Sequence, residues 1–67
     1  MKANLLRGEI KAQSMTLEAL AKKIGISRNS MSAKLNGRTQ FNADEIEKIC
    51  MALGISDPER KVEIFLS

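Results

Sequence analysis

Residues 16–37 read TLEALAKKIGISRNSMSAKLNG, and this stretch decides the fold. Its first part places apolar side chains three and four residues apart, which puts them on one face of a helix. Thr16 precedes that stripe as an N-cap residue, and Gly25 follows it where a left-handed C-cap residue is needed. The pattern therefore predicts a helix over residues 17–24, with an apolar face formed by Leu17, Leu20, Ala21 and Ile24.

The helical pattern restarts immediately after Gly25. Ser27 is the next N-cap candidate, Met31 and Leu35 form an apolar pair one turn apart, and Asn36-Gly37 ends the second helix. Two short helices joined by so tight a turn match the helix-turn-helix arrangement. An ordinary helical hairpin in a small bundle uses the same caps, so the spacing alone leaves both interpretations open.

Helices are also predicted on both sides of this pair. Apolar residues near the N-terminus indicate a first helix over about residues 3–13. Asn42 is a third N-cap candidate, and Glu45 stands three residues further on, at the capping-box spacing. An apolar stripe follows and stops at Gly54, which predicts another helix between Asn42 and Gly54. The last element opens with Asp57-Pro58, a cap followed by proline at the first helical position. Its apolar residues fit either a helix or an alternating strand.

These elements predict an all-α fold, a compact bundle of about four or five short helices in one domain spanning residues 1–67. The chain has no His and 1 Cys, which removes the usual ligands of a zinc site, the usual general base and any internal disulfide. Cys50 lies on an apolar stripe and is predicted to be a core thiol. We therefore expect no enzyme, no metal and no cofactor. Apolar runs fall short of the roughly 20 residues of a membrane helix, so we expect a small cytoplasmic binding module.

Charge is divided unevenly along the chain. Residues 1–40 contain eight Lys and Arg and two Glu, which gives a net charge of +6. Residues 41–67 contain three Lys and Arg and six Asp and Glu, which gives a net charge of −3. A basic half joined to an acidic half suggests that one face meets a polyanion. An uneven partition can also arise by chance in a domain this small.

The second helix of the pair carries a polar, donor-rich face. With Met31 and Leu35 directed at the core, a step of about 100° per residue leaves the N-terminal end and the opposite side exposed. Arg can bond guanine, Asn can bond adenine, Ser can bond either, and an alanine methyl can touch that of thymine. A solvated face would also be polar, but the basic residues around this one favour DNA. This face is formed by Asn29, Ala33 and Asn36, with Ser32 beside them and Arg28 at the N-terminal end.

The segments TLEALAKKIG (residues 16–25), ISRNSMS (26–32) and LNGR (35–38) together resemble the lambda-repressor/Cro-like helix-turn-helix family. The likeness continues through ALGIS (52–56) and covers about residues 5–56. It implies a small phage or bacterial transcriptional regulator that binds operator DNA as a dimer. By position it implies that the base-reading residues are Arg28, Asn29, Ser32 and Ala33. It also implies phosphate contacts from Thr16, Leu17, Ser27, Asn36 and Arg38, with Leu17 offering only its backbone N–H.

Lys34 departs from that family pattern, which has an apolar residue at this position, and we expect Lys34 to reach a DNA phosphate instead. The apolar residues near the C-terminus are predicted to complete the core, to form a dimer interface, or both: Val62, Ile64, Phe65 and Leu66. The predicted partners are double-stranded DNA and a second copy of the chain, with no membrane and no small-molecule substrate. A protein-binding module such as an antirepressor or antitoxin, and a DNA-bending excisionase-type factor, remain as alternatives to a Cro-like repressor.

Overall fold

In a computed structural model that describes residues 1–66, the chain forms five helices and, within those residues, no strand. They are α1 (Ala3–Ala12), α2 (Leu17–Ile24), α3 (Arg28–Leu35), α4 (Ala43–Leu53) and α5 (Pro58–Phe65). The predicted all-α class is confirmed. The C-terminal segment is a helix, so the strand alternative for it is wrong. Proline at the first position of α5 and the Asp57 carboxylate, which accepts the Glu59 N–H at 3.0 Å, start this helix.

Short-range side-chain caps begin the three central helices. Thr16 Oγ1 accepts the Ala19 N–H at 3.0 Å, and Ser27 Oγ accepts the Ser30 N–H at 3.0 Å. Asn42 Oδ1 accepts the Glu45 N–H at 2.8 Å, while Glu45 Oε1 accepts the Asn42 N–H at 3.0 Å, which completes a capping box. All three predicted caps are confirmed.

The end of α1 has a feature that the sequence pattern did not indicate. No glycine stands there, and Ser14 itself takes the left-handed conformation, with φ +53°. The Met15 N–H then donates to the Ile10 carbonyl at 3.1 Å, which closes the turn into α2. The helix ends at Ala12, one residue earlier than predicted.

The core draws a fully buried side chain from every helix: Leu6, Leu20, Met31, Ile49 and Ile64 each have no exposed surface. Cys50 is buried among them, which confirms that it is a core thiol. Burial raises the pKa of this thiol above its usual range, and the positive charge of Lys61 offsets part of that rise. Cys50 is therefore held in its neutral form at neutral pH.

Two interactions fix α5 against α1. The Lys2 N–H donates to the Ile64 carbonyl at 2.7 Å, and the Arg60 guanidinium bonds Glu9 of α1 at 2.9 Å while also pairing with Glu63. This docking turns Ile64 and Phe65 into the core and leaves Leu66 exposed. Of the four predicted C-terminal apolar residues, Ile64 and Phe65 thus belong to the core of the monomer.

Candidate nucleic-acid interface

The turn between α2 and α3 brings these two helices into close contact. Gly25 has φ +83°, a left-handed conformation that glycine adopts without strain, and the Ile26 N–H donates to the Ala21 carbonyl at 3.0 Å. Ala21 is buried in the core, α2 packs against α3, and a small side chain in such a pair lets the two helices approach. Ile26 packs partly buried against the core below the turn. The geometry is that of a helix-turn-helix unit.

The exposed face of α3 begins at its N-terminus. Met31 and Leu35 are buried, whereas Arg28 and Asn29 are exposed. Within residues 1–66 the side chain of Arg28 has neither a hydrogen bond nor an ion pair. Its guanidinium donors are therefore available to an external acceptor. The other two predicted base-reading residues, Ser32 and Ala33, are partly exposed one turn further on.

Predicted phosphate contacts lie at the N-termini of α2 and α3. Thr16 and Ser27 each use a hydroxyl lone pair to cap a helix, and this leaves the O–H hydrogen of each able to donate to a phosphate oxygen. The Leu17 side chain packs partly buried on the core, so only its first-turn amide is available. All three positions are compatible with the predicted role.

A second group of donors lies where α3 ends. Asn36 is the C-cap residue, Gly37 follows with φ +81°, and exposed Arg38 is held by its backbone N–H, which donates to the Ala33 carbonyl at 2.9 Å. Arg7 of α1 reaches this group, since its Nη2 donates to Asn36 Oδ1 at 3.3 Å. Sequence reasoning missed Arg7. The sequence shows that residue 7 is basic, but it does not show that this side chain lies beside Asn36, 29 positions away.

The side chain of Lys34, which was predicted to reach a DNA phosphate, makes its contacts within the protein. Its Nζ donates to the Gln40 carbonyl at 3.0 Å, lies 3.4 Å from Glu45 Oε1, and stands 5.8 Å from the centroid of the Phe41 ring. Only 13% of its side chain is exposed. The ammonium is directed into the loop between α3 and α4 because carbonyl, carboxylate and ring face together compensate its lost hydration.

Positive charge without a carboxylate partner is concentrated in α1, α2, α3 and the loop after α3. Of the eight Lys and Arg in residues 1–40, only Lys34 pairs with a carboxylate within the described residues 1–66. In the acidic half, Lys48 pairs with Asp44 and Arg60 with two glutamates. The helix-turn-helix therefore keeps its cationic charge available, while the α4–α5 half neutralises much of its own.

Membrane-spanning helices and metal-binding clusters are both absent from the part of the chain that the structure describes. None of its helices combines the length and the apolar character that crossing a bilayer requires. Residues 1–66 contain no group of three or more His, Cys, Asp or Glu placed to hold a metal ion.

Taken together, the packed helix pair, its left-handed glycine turn and its exposed donor face define a helix-turn-helix DNA-binding domain. Residues 6–59 match the family model of the Cro/C1-type HTH DNA-binding domain. Since the match covers well over half of the chain, the chain belongs to this family, and it is a DNA-binding regulator by class. Searches of curated proteins and of solved structures found no match. The predicted resemblance to lambda-repressor and Cro-like proteins is thereby confirmed at the level of the family.

Proposed function

We propose that this protein is a Cro-like transcriptional repressor of the cytoplasm that binds a two-fold operator as a homodimer. One observation carries the proposal: exposed Arg28 and Asn29 open α3 with no side-chain partner within residues 1–66, directly after the capping hydroxyl of Ser27. A recognition helix enters the major groove with such an N-terminal end. Here the donors that read bases and those that hold phosphates occur on adjoining turns.

The roles divide by exposure and chemistry. Arg28 suits bidentate bonding to guanine O6 and N7, and Asn29 suits bonding to adenine N6 and N7. Ser32 and Ala33, partly exposed on the next turn, are the remaining base contacts. Each of these contacts distinguishes base pairs because the major groove presents a different pattern for each pair.

Phosphate contacts would flank the recognition helix on both sides. On one side are the hydroxyls of Thr16 and Ser27 and the amide of Leu17; on the other are Asn36 and Arg38. Arg7 is added to the second group because its bond to Asn36 Oδ1 fixes that amide and brings another cation to the same place. A backbone contact from these groups positions the protein, and it carries no sequence preference of its own.

The dimer contact is proposed at the exposed end of α5. Leu66 is 74% exposed and Val62 is 50% exposed. Leu66 borders a surface hollow of about 470 Å³ whose walls include Phe41 and Phe65. In a two-fold dimer each copy can offer its Leu66 to the hollow of the other, which makes the contact self-complementary. The half-sites of the operator would then lie about 34 Å apart, one helical turn of DNA.

Selecting bound sequences from a random duplex library tests the whole proposal. Enrichment of a two-fold consensus supports both readout by α3 and dimeric binding. An enriched site without symmetry contradicts the dimer, and no enrichment contradicts sequence-specific binding. A gel-mobility assay with the site at different positions along the fragment separates a repressor from an excisionase-type factor, since strong bending favours the latter.

The same library also tests the protein-partner alternative. The unpaired cations of residues 1–40 favour DNA over an antirepressor-like or antitoxin-like role. A chain that fails to bind random duplex at about 100 mM salt would favour the protein-partner role, because nonspecific DNA binding depends on phosphate neutralisation.

A further inference from the structure

Lys34 forms an internal network that links both ends of the α3–α4 loop. It is the penultimate residue of α3, and its Nζ donates to the carbonyl of Gln40 near the end of the loop at 3.0 Å. The same ammonium pairs with Glu45 in the first turn of α4, at 3.4 Å. One cation of α3 therefore contacts both the loop and α4.

Glu45 serves two purposes in this network. Its Oε1 accepts the Asn42 N–H at 3.0 Å in the capping box and also faces the Lys34 ammonium. Its side chain is 13% exposed, the same fraction as that of Lys34. An ion pair so shielded from water is strongly coupled, because removing either partner leaves the other charge poorly solvated.

Phe41 extends the network toward α5. The Lys34 ammonium lies 5.8 Å from its ring centroid, and the ring meets Phe65 edge to face at a centroid separation of 6.4 Å. The face of an aromatic ring attracts a cation, so Phe41 adds a third contact to the Lys34 ammonium. The Lys34 ammonium thus contacts the loop and α4, and Phe41 connects this network to Phe65 of α5.

The loop secured in this way carries the second group of DNA-facing donors. Asn36 and Arg38 lie between Lys34 and Gln40, and Gly37 between them adopts φ +81°. Glycine gives the loop little stiffness of its own. A tie across its two ends restricts how far Asn36 and Arg38 can move before DNA arrives, which reduces the ordering cost of binding.

We propose that Lys34 is a positioning residue, an internal cation that fixes the α3–α4 loop and so places Asn36 and Arg38 for phosphate contact. This inference rests on the proposed DNA-binding function. A direct phosphate contact by Lys34 would require its ammonium to leave Gln40, Glu45 and Phe41. The two roles make opposite predictions for Glu45, and that difference can be measured.

The test uses Glu45→Gln with Glu47→Gln as its matched control. Glutamine keeps an oxygen for the capping box, so Glu45→Gln removes mainly the ion pair with Lys34. Exposed Glu47 lies half a turn further along α4 and forms no ion pair within residues 1–66. Its substitution reports the effect of losing one negative charge. Lys34→Met, which keeps an unbranched apolar stem, is the complementary variant.

Two measurements are made on each variant after thermal denaturation shows that it is folded. In the DNA-free protein, Glu45→Gln and Lys34→Met should speed amide hydrogen exchange at Arg38 by about tenfold, and Glu47→Gln should not. With random-sequence duplex at about 100 mM salt, Glu45→Gln and Lys34→Met should bind about three- to tenfold more weakly, whereas Glu47→Gln should bind as well as or better than the unmodified chain.

Tighter duplex binding by Glu45→Gln than by Glu47→Gln would overturn the proposal, because it would mean that the freed Lys34 contacts phosphate. Unchanged exchange at Arg38 would also overturn it. If the unmodified chain fails to bind duplex at all, the proposed function fails separately, and the exchange measurement still decides whether Lys34 holds the loop. Glu45→Gln alone suffices where Lys34→Met does not fold.

Discussion

Replacing Arg38 with alanine should reduce the salt dependence of DNA binding by a defined amount. Arg38 is exposed, and its guanidinium forms no ion pair within residues 1–66. Its backbone N–H donates to the Ala33 carbonyl, and this bond persists in alanine. The substitution therefore removes a cation without leaving a buried partner unsatisfied, and the free energy of unfolding should change by less than about 0.5 kcal/mol.

The magnitude follows from counterion release. Each phosphate neutralised on duplex DNA contributes about −0.9 to the slope of log K against log salt. The proposed dimer would lose two such contacts, so the slope should become shallower by about 1.8. Between 50 and 200 mM salt, the unmodified protein should lose about 12-fold more affinity than the variant, a figure that follows from that slope difference over a fourfold change in salt.

Fluorescence anisotropy with a labelled duplex, titrated at several salt concentrations, measures both slopes. Lys61→Ala is the matched control, since it removes the same charge from a partly buried position beside Cys50 on the α4–α5 side. We expect the Lys61 variant to keep the unmodified slope. Equal slopes for the Arg38 variant and the unmodified protein would refute the phosphate contact. Equal flattening by both variants would show that net charge, rather than a located contact, controls binding.

Four further outcomes are expected. Arg28→Ala should cost about 1–3 kcal/mol of binding and relax preference at one base pair in a competition assay; equal weakening on all sequences would instead make Arg28 a phosphate contact. Gly25→Ala should lower the free energy of unfolding by about 1 kcal/mol in a urea titration, since φ is +83° and the added Cβ meets no atom within 4 Å; an unchanged midpoint would contradict this. Burial raises the pKa of the Cys50 thiol in the folded state, so the stabilising contribution of the neutral thiol is complete below the unfolded pKa of about 8.5 and is lost as pH rises through the folded pKa. Between about pH 8 and pH 10, the free energy of unfolding should therefore decline less in Cys50→Ala than in the unmodified protein. Parallel declines in the two proteins would exclude this linkage. Leu66→Glu should shift sedimentation toward the monomer while leaving the helical circular dichroism unchanged, and an unaltered oligomeric state would place the dimer contact elsewhere.

The sequence alone determined where the three central helices begin and where α2 and α4 end. The caps at Thr16, Ser27 and Asn42 each bond a backbone amide three residues away, and left-handed glycines follow α2 and α4 where the apolar stripes stop. Such interactions are local, so they depend on residue type and spacing and hardly on packing. The class of fold and the position of the recognition helix followed from them.

Local pattern was insufficient where two conformations shared the same spacing. The C-terminal apolar residues fitted both a strand and a helix, and only docking onto α1 separated buried Ile64 and Phe65 from exposed Leu66. Ser14 likewise adopts a left-handed conformation without the glycine that would have indicated it. For the C-terminal segment, the packing of neighbouring elements decides the outcome, because it outweighs the modest preferences of single residues.

Tertiary structure alone decided which cations serve which purpose. Lys34 and Arg38 are both basic residues beside the end of α3, yet Lys34 is enclosed by Glu45 and Phe41, whereas Arg38 remains exposed. Arg7 reaches Asn36 across 29 positions of sequence. Long flexible side chains take the partner that the folded chain brings within reach, and Coulomb attraction strengthens as that partner is shielded from water. Sequence thus located the basic half, and the packing of its helices determined which of its charges remain available to DNA.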